Sequence, residues 1–436
     1  MSATAVAPRR RSVPDPHELP RLLAGAGVGQ GPVPLEEHVE RHGVLPKEIS
    51  RREAARLIDL VEASGLRGRG GAGFPTGRKL RAVAERGHRA VVVANGSEGE
   101  PASAKDKVLL RRVPHLVLDG AALASATVGA AEAFIVVGEG AERERLAIED
   151  AVAERERRRL DGVAFRVVTV PDRFVAGEET ALVNFLNGGP AKPTFTPPRP
   201  FERGVGGLPT LVQNVETLAH LALVARYGPA WFRGLGTEDQ PGTALVTLDG
   251  AVGRPGVYEI PVGLPLRDLV ERAGGVSAPI SAFLVGGYFG AWIGVQNAVD
   301  LTLSNTGLAA AGASLGAGTI IALPTGTCGV VETARVARYL AGESARQCGP
   351  CLHGLDAIAT AVEHLAARKK QRRGGSEDLP RWTAQVKGRG ACRHPDGAAR
   401  LVESALTVFA DELARHARGT CTGDGRPLLR LPEARR

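Results

Sequence analysis

The stretch Gly65-Leu66-Arg67-Gly68-Arg69-Gly70-Gly71-Ala72-Gly73-Phe74-Pro75-Thr76-Gly77-Arg78-Lys79 constrains this chain more than any other. It sets six glycines and four cations around one phenylalanine. Glycine lets the backbone adopt positive φ and lets a ligand approach the main chain closely. Successive bare N–H groups make an anion-binding concavity. Arg67, Arg69, Arg78 and Lys79 add charge suited to phosphate. A plain linker favours Gly and Ser without this density of cations. The loop therefore predicts a phosphate-bearing ligand held by backbone amides.

The flanking pattern places that loop. Ser50-Arg51-Arg52-Glu53 is a capping-box signature, and Leu57, Ile58, Leu60 and Val61 follow on one helical face. Gly65 supplies a left-handed stop, and a second helix starts near Gly77. Val91-Val92-Val93 reads as a buried strand running into Asn95-Gly96-Ser97-Glu98-Gly99-Glu100-Pro101, a loop at a strand's carboxyl end, where α/β sheets bind ligands. Helix, glycine loop, helix, strand is not the strand-first order of a dinucleotide fingerprint. The α/β rhythm continues with a helix around 114–129, a strand over Ala133 to Gly138, a charged helix over 140–159 and a strand over Phe165 to Val170. Gly177-Glu178-Glu179-Thr180-Ala181-Leu182 opens a helix with two acids in its first turn, which the helix dipole tolerates.

Near residue 240 the pattern changes to short β runs at Ala244 to Leu248, Val257 to Ile260, Ala282 to Val285 and Thr319 to Leu323, around a helix at about 265–273. That is a small β-grasp-like α+β module. From Val330 the periodicity is helical over about 330–342, 352–368, 381–388 and 396–417, with a Lys/Arg/Gly-rich break at 368–375. The expected divisions are a flexible arm (1–45), an α/β domain (46–238), a β-grasp domain (239–326), a helical bundle (327–420) and a tail (421–436).

The 436 residues suffice for two to four domains by the usual length prior, and a 43% hydrophobic fraction supports ordinary cores. A net charge of +8 comes from scattered cations without interleaved aromatics, which argues against nucleic-acid binding. No apolar run could span a bilayer, and Arg9-Arg10-Arg11 is not followed by the apolar region of a secretory signal. Five cysteines in so long a chain do not make a disulfide scaffold. Thiols kept for metal or redox use point to a reducing, cytoplasmic setting.

Two sites carry chemistry. The glycine loop, the Asn95–Pro101 loop and the Gly177–Glu179 turn together suit a nucleotide-type cofactor such as a flavin. Phosphate would repel Glu98, Glu100, Glu178 and Glu179, which better suit hydroxyls or a ring N–H. The second site is Cys348-Gly349-Pro350-Cys351 with Cys392. Three thiolates suit iron–sulfur ligation, zinc or a thiol redox pair. Cys328 lies a helix away from the C-x-x-C, about 18 Å. Cys421 lies beyond a further helix of about 30 Å. Both read as ordinary free thiols.

In these residues the sequence resembles the NADH-binding flavoprotein subunit of respiratory complex I. Related subunits occur in NAD-reducing hydrogenases and formate dehydrogenases. The likeness runs from about residue 45 to 415, through the glycine loop, Asn95…Glu98…Glu100-Pro101, Gly177 to Leu182, and Leu208-Pro209-Thr210…Asn214-Val215-Glu216-Thr217. It continues through Arg254 to Glu259 and Glu343-Ser344…Cys348-Gly349-Pro350-Cys351. It implies a Rossmann-like flavin-binding α/β domain, a ubiquitin-like, soluble-ligand-binding β-grasp domain and a helical bundle with an iron–sulfur cluster. Carried over position by position, Gly68, Arg69, Gly70, Gly71, Gly73, Lys79, Asn95, Ser97, Glu98, Gly177, Glu178, Asn214 and Thr217 would hold FMN. Phe74, Glu100 and Glu179 would face NADH, the two acids at the catalytic centre. Cys348, Cys351 and Cys392 would hold a 4Fe–4S or 3Fe–4S cluster.

The departures are specific. The family's first cluster cysteine is Ala345, so the three thiolates would hold a 3Fe–4S cluster, a 4Fe–4S cluster with one labile or unusually ligated iron, or one completed by His353 or a partner chain. The family's aspartate in the flavin loop is Ser97. On the nicotinamide side a second aromatic is Ala82, another near the acidic turn is Phe174, which lacks a hydroxyl, a lysine is Thr196 and a phenylalanine is Arg199. Each stacked ring contributes about 1 kcal/mol beyond area burial, so three changes could cost a hundredfold or more in NADH affinity. Electron transfer from NADH through FMN to the cluster, and on to ferredoxin-like or quinone-reducing subunits at a membrane complex, is the leading expectation. The alternatives keep the cofactors with another donor, or reduce the chain to a redox-inactive β-grasp binding module.

Overall fold

The computed structural model describes residues 13–27, 29, 31–87, 89–367 and 378–432. The first unit contains α1 (Leu35–His42), α2 (Arg51–Ser64), α3 (Thr76–Ala84), β1 (Ala90–Gly96), α4 (Lys105–Arg112), α5 (Pro114–Val128), β2 (Ala130–Gly138), α6 (Glu142–Arg157), β3 (Ala164–Val170), α7 (Glu179–Leu186), β4 (Thr210–Asn214) and α8 (Val215–Arg233). Its sheet is parallel throughout, in the order β3-β2-β1-β4.

Local chemistry sets the first elements. Ser50 Oγ accepts the Glu53 amide at 3.3 Å while the Ser50 amide donates to Glu53 Oε2 at 2.7 Å, closing the capping box of α2. Gly65 ends that helix at φ 72°. Leu57, Ile58 and Val61 are buried in the main core, each such side chain contributing about 2 kcal/mol. The α5 helix is buried on nearly every side. It lies so close to α8 that a Cβ on Gly120 would sit 1.9 Å from the Leu218 carbonyl oxygen. Apolar β1 residues Val91 to Ala94, buried from both faces, follow from being a central strand of a parallel sheet.

The arm expected over residues 1–45 is anchored at several points, with residues 1–12, 28 and 30 lying outside the described ones. Leu22 and Leu35 are buried. Glu259, in the second unit, accepts the amides of Arg21 and Leu22 at 2.9 Å each. The sequence here carries no periodic run, and a distant carboxylate supplies the anchor.

The second unit holds β5 (Thr243–Gly250), β6 (Gly256–Pro261), α9 (Leu266–Arg272), β7 (Ile280–Val285), β8 (Ala291–Gly294), α10 (Val295–Ala298), α11 (Asn305–Ala309) and β9 (Thr319–Pro324). Its mixed sheet runs β6-β5-β9-β7-β8, with β5 and β9 parallel and the other pairs antiparallel. The third is helical: α12 (Gly329–Gly342), α13 (Leu355–Ala366), α14 (Leu379–Val386), α15 (His394–Val408) and α16 (Ala410–Ala417). The helix expected over 396–417 is two helices. It breaks at Phe409, whose ring packs on Trp292 at 5.2 Å and fills the space beside Gly329. The basic break at 368–375 falls outside the described residues.

Hydrogen bonds weld the units. Glu216 Oε1 accepts the Leu245 amide at 2.9 Å, and Trp292 Nε1 donates to Thr333 Oγ1 at 3.0 Å.

Candidate active site

The strand order reverses between β1 and β4, so their carboxyl ends open a crevice at the topological switch point. The glycine loop lies over it. Gly68 N donates to Phe74 O and Thr76 N to Leu66 O, both at 2.9 Å, which closes the loop at its base. Arg69 N donates to Thr217 Oγ1 at 2.8 Å and ties it to α8. Between these ties the amides of Gly70, Gly71, Ala72 and Gly73 meet no acceptor among the described residues, and Gly70 to Ala72 are exposed. Gly71 and Gly73 take φ of 111° and 63°. A Cβ on Gly70 would come within 3.3 Å of Asn214 Cβ. Four bare donors in a left-handed concavity fit a phosphate.

The polar residues at the strand ends converge below the loop. Asn95 Nδ2 donates to Gly177 O at 2.8 Å, and its Oδ1 accepts from Ser97 Oγ at 2.8 Å. Asn214 caps α8 by accepting the Glu216 amide at 3.0 Å and donates to Asp106 at 2.7 Å. Beneath them Lys105 is buried between Asp106 and Glu216, at 2.7 and 2.8 Å. Sequence reading missed Lys105 and Asp106; one lysine–aspartate pair in a charged run carries no local signal.

Three candidates are turned elsewhere. Glu98, at φ 40°, points its carboxylate at the start of α4, accepting the amides of Asp106 and Lys107 at 3.0 and 3.1 Å. Glu178 caps α7, accepting the amides of Thr180 and Ala181 at 2.9 and 3.0 Å. Both carboxylates serve helix N-termini, which bind negative charge, and the bonds of Glu178 all fall on Oε2. The Arg69 guanidinium is held by the protein as well, donating to Pro241 O at 3.3 Å while its buried Nε lies 3.9 Å from Glu216 Oε1.

At the mouth Lys79 Nζ donates to Glu179 Oε2 at 2.6 Å. Phe74 is 53% exposed beside them. Phe174 is absent from the mouth: its ring stacks on Phe289 at 4.5 Å and His394 at 5.7 Å. Phe195 carries no motif that would single it out in sequence. It is 83% exposed, and the Thr194 amide before it donates to Thr180 Oγ1 at 2.9 Å, which holds this phenylalanine near the Glu179 turn.

Glu100 is buried, and its carboxylate accepts the Tyr288 amide at 2.7 Å and the Ala102 amide at 3.3 Å. Burial pushes its pKa up to about 7, the amides only partly opposing it. The folded pKa exceeds the unfolded one, so the folded state binds the extra proton and stability falls as pH rises from about 4.5 to 7. Glu100→Gln should flatten that decline, worth about 3 kcal/mol at most. Thermal denaturation of both proteins from pH 5 to 8 measures it; parallel curves would show that Glu100 does not titrate there.

Cys351 sits in a π-type turn at Pro350–Gly354, Cys348 two residues before that turn and Cys392 just before α15. Cys351 is buried; Cys348 and Cys392 are half-buried. Burial and then the neighbouring Cys348 push the Cys351 thiol up to about 12. Cys392 is raised by burial, then by Glu178 and Cys348. Cys351 and Cys392 both sense Cys348, and Cys392 also senses the α7 cap Glu178, whereas cationic iron would favour their thiolates. Ala345 is buried and His353 exposed. Glu343, which opens this motif, accepts the Phe174 amide at 2.8 Å and pairs with Arg173 at 3.2 Å. It locks the thiol-bearing turn to the loop before α7. The donor set fits an iron–sulfur cluster with three protein thiolates.

The chain is similar to known proteins along most of its length. Residues 61–223 match the family model of the Nuo51 FMN-binding domain, 245–283 the SLBB domain, and 332–416 the NADH-ubiquinone oxidoreductase-F iron-sulfur binding region. An F-type NADH-quinone oxidoreductase subunit of Rhizobium meliloti (strain 1021) is 33% identical over 422 residues, 94% of this chain and 96% of that one. The F-type subunit of Mycobacterium tuberculosis (strain ATCC 25618 / H37Rv) is 34% identical over 381 residues, 83% and 85% of the two chains. A solved NAD+-reducing NiFe-hydrogenase in the H2-reduced state is 30% identical, with a TM-score of 0.76 over 86% of this chain. This chain spans 64% of that hydrogenase chain. A parallel sheet with an amide-lined switch point, locked to a thiol-bearing helical bundle, defines a flavin and iron–sulfur electron-transfer subunit. The chain belongs to the family of F-type NADH-quinone oxidoreductase subunits.

Proposed function

We propose that the chain oxidises NADH and hands single electrons to a partner redox subunit, of ferredoxin-like or quinone-reducing type, in a cytoplasmic setting. The observation that carries this reading is the set of unpartnered Gly70–Gly73 amides over the switch point, tied through Glu343 to the cysteine turn. When bound, FMN converts a two-electron donor into single electrons and an iron–sulfur cluster carries them onward. The Gly70–Gly73 amides bind the cofactor phosphate, and Asn95, Ser97 and Asn214 line the strand ends beneath it. Lys79 and Glu179 hold each other across the mouth, and Glu179 lies where the nicotinamide enters. Glu100, pinned by the Tyr288 amide, keeps a proton near neutral pH beside the Asn95–Pro101 loop. Cys348, Cys351 and Cys392 hold the cluster. Among the described residues no helix is long and apolar enough to cross a membrane, so attachment to a membrane complex runs through partners. The family-model matches support functional units over 46–238, 239–326 and 327–420.

Phe74, exposed in the glycine loop, and Phe195, exposed beyond Thr194, supply the stacking faces for the dinucleotide in place of the rings missing at Ala82 and Arg199. Phe195→Ala should raise KM for NADH about fivefold, the worth of one aromatic stack, with FMN content unchanged. Steady-state kinetics beside flavin quantification reads both; an unchanged KM would return that role to Arg199.

Anaerobic NADH titration of the FMN- and cluster-reconstituted protein tests the whole reading. Flavin absorbance should bleach first, and the EPR signal of a reduced cluster should follow. Ala82, Thr196 and Arg199, where the family has two rings and a lysine, favour a second reading with another donor. Bleaching by reduced ferredoxin but not by NADH would select it.

A further inference from the structure

Cys328, Glu412, His416 and Cys421 come together away from the redox site, with ligand atoms all within 4.8 Å of one another. Cys328 caps the start of α12 and Cys348 follows its end. That helix of 14 residues, about 20 Å long, separates the two sulfurs. Cys328 and Cys421, expected as ordinary thiols, are remote from the cluster cysteines but close to each other. The α16 helix, which starts after Phe409, carries Glu412 and His416 four residues apart on one face. Neither Cys328 nor Cys421 lies in the 332–416 iron–sulfur match.

The distances suit one ion. His416 Nε2 is 3.2 Å from Glu412 Oε1 and 3.4 Å from Cys328 Sγ, and Cys328 Sγ is 3.7 Å from Glu412 Oε1. Tetrahedral zinc with ordinary Zn–S and Zn–N bonds sets its ligand atoms about 3.4–3.8 Å apart. The orienting contacts are also present. His416 Nδ1 donates to Leu365 O at 3.0 Å, which leaves the Nε2 lone pair aimed into the group. Glu412 accepts from Thr422 Oγ1 at 2.7 Å, the Thr422 amide at 3.0 Å and Arg415 Nε at 3.2 Å. Cys421 Sγ accepts the Gly423 amide at 3.3 Å. A Cβ on Gly423 would meet Cys328 Cβ at 2.8 Å, so the loop carrying Cys421 packs directly on the α12 cap. Cys328, Glu412 and His416 are buried. An Nε2 facing a carboxylate and a sulfur at these spacings presents the donor set that a divalent cation takes.

We propose that Cys328, Glu412, His416 and Cys421 form a closed, four-ligand structural site for a divalent metal of the zinc class. Four protein ligands leave no open position, so the site is structural rather than catalytic. It clasps the 420–424 loop to α12 and α16. The segment beyond that loop is itself integrated: Leu429 is buried, its amide donates to Glu332 at 2.8 Å, and Tyr288 OH donates to Arg430 O at 2.5 Å. This inference stands whether or not NADH is the donor.

The test is metal analysis of the full chain purified without added metal. Wild type should hold about one zinc per chain, the stoichiometry of a closed four-ligand site, separate from its iron. Cys351→Ser should lose iron and keep zinc; Cys421→Ser and His416→Gln should lose zinc and keep iron and flavin. If those variants fail to fold, wild type alone decides: metal-free protein given Co2+ should show the visible bands of tetrahedral, thiolate-bound cobalt. Zinc-free wild type that binds no Co2+, zinc that leaves with Cys351→Ser, zinc that stays in Cys421→Ser and His416→Gln, or a Cys328–Cys421 disulfide on peptide mapping would each overturn the proposal.

Discussion

Gly71→Val should lower FMN affinity by about a hundredfold or more. Gly71 takes φ 111°, a conformation closed to branched side chains. Forcing valine there costs about 1–3 kcal/mol of strain. Relief of that strain re-aims the neighbouring amides, and each charge-assisted bond lost to a phosphate costs about 1.5–3 kcal/mol more. Together these exceed the roughly 2.7 kcal/mol of a hundredfold change. The side chain itself has room, since its nearest neighbour is Gly316 backbone at 3.8 Å. Conformation rather than collision is therefore what the experiment reads. Gly275→Val is the control, with φ 77° and nothing within 4 Å, in the second unit. It should carry similar strain and keep FMN. Fluorescence-quenching titration with FMN measures both, and equal affinities would mean the loop does not hold the cofactor.

Cys351→Ser should reduce cluster iron about tenfold or more, since loss of even an outer partner of a metal ligand costs 10–100-fold. Cys351 is the buried member of the three, and with Ala345 in place of a fourth thiol no spare sulfur can replace it. The flavin site stands on other residues, so NADH should still bleach flavin while the EPR signal disappears. An unaltered signal would mean that the cluster does not rest on this cysteine. Serine preserves the volume of the site, so loss of iron is not loss of packing.

The residues make plain why some of this is readable in the chain and some is not. The capping box at Ser50, the Gly65 stop and the parallel strands around Val92 follow from spacing within a few residues, and each appears where the sequence places it. The glycine loop announces its amides because only glycine tolerates the φ of Gly71 and Gly73. The acids are harder. Glu98, Glu100, Glu178 and Glu179 look alike in sequence, yet Glu98 and Glu178 serve helix amides, Glu100 an amide of a different unit, and Glu179 a lysine 100 residues away. The spacing Glu412-x3-His416-x4-Cys421 is a metal-ligand signal in plain view. One straight helix over 396–417 hides it, because nothing local to Phe409 marks the break that Trp292 and Gly329 impose.

By itself the sequence determined the elements with short-range causes: caps, glycine turns, apolar strands, and the backbone shape of an anion-binding loop. These depend on dihedral preferences and hydrogen bonds within about one turn of chain. Only the tertiary structure decided which carboxylates remain free, which aromatic rings reach the mouth, and which thiols meet. A buried charge or sulfur takes its character from whatever distant element packs beside it, and that neighbour is set by the fold.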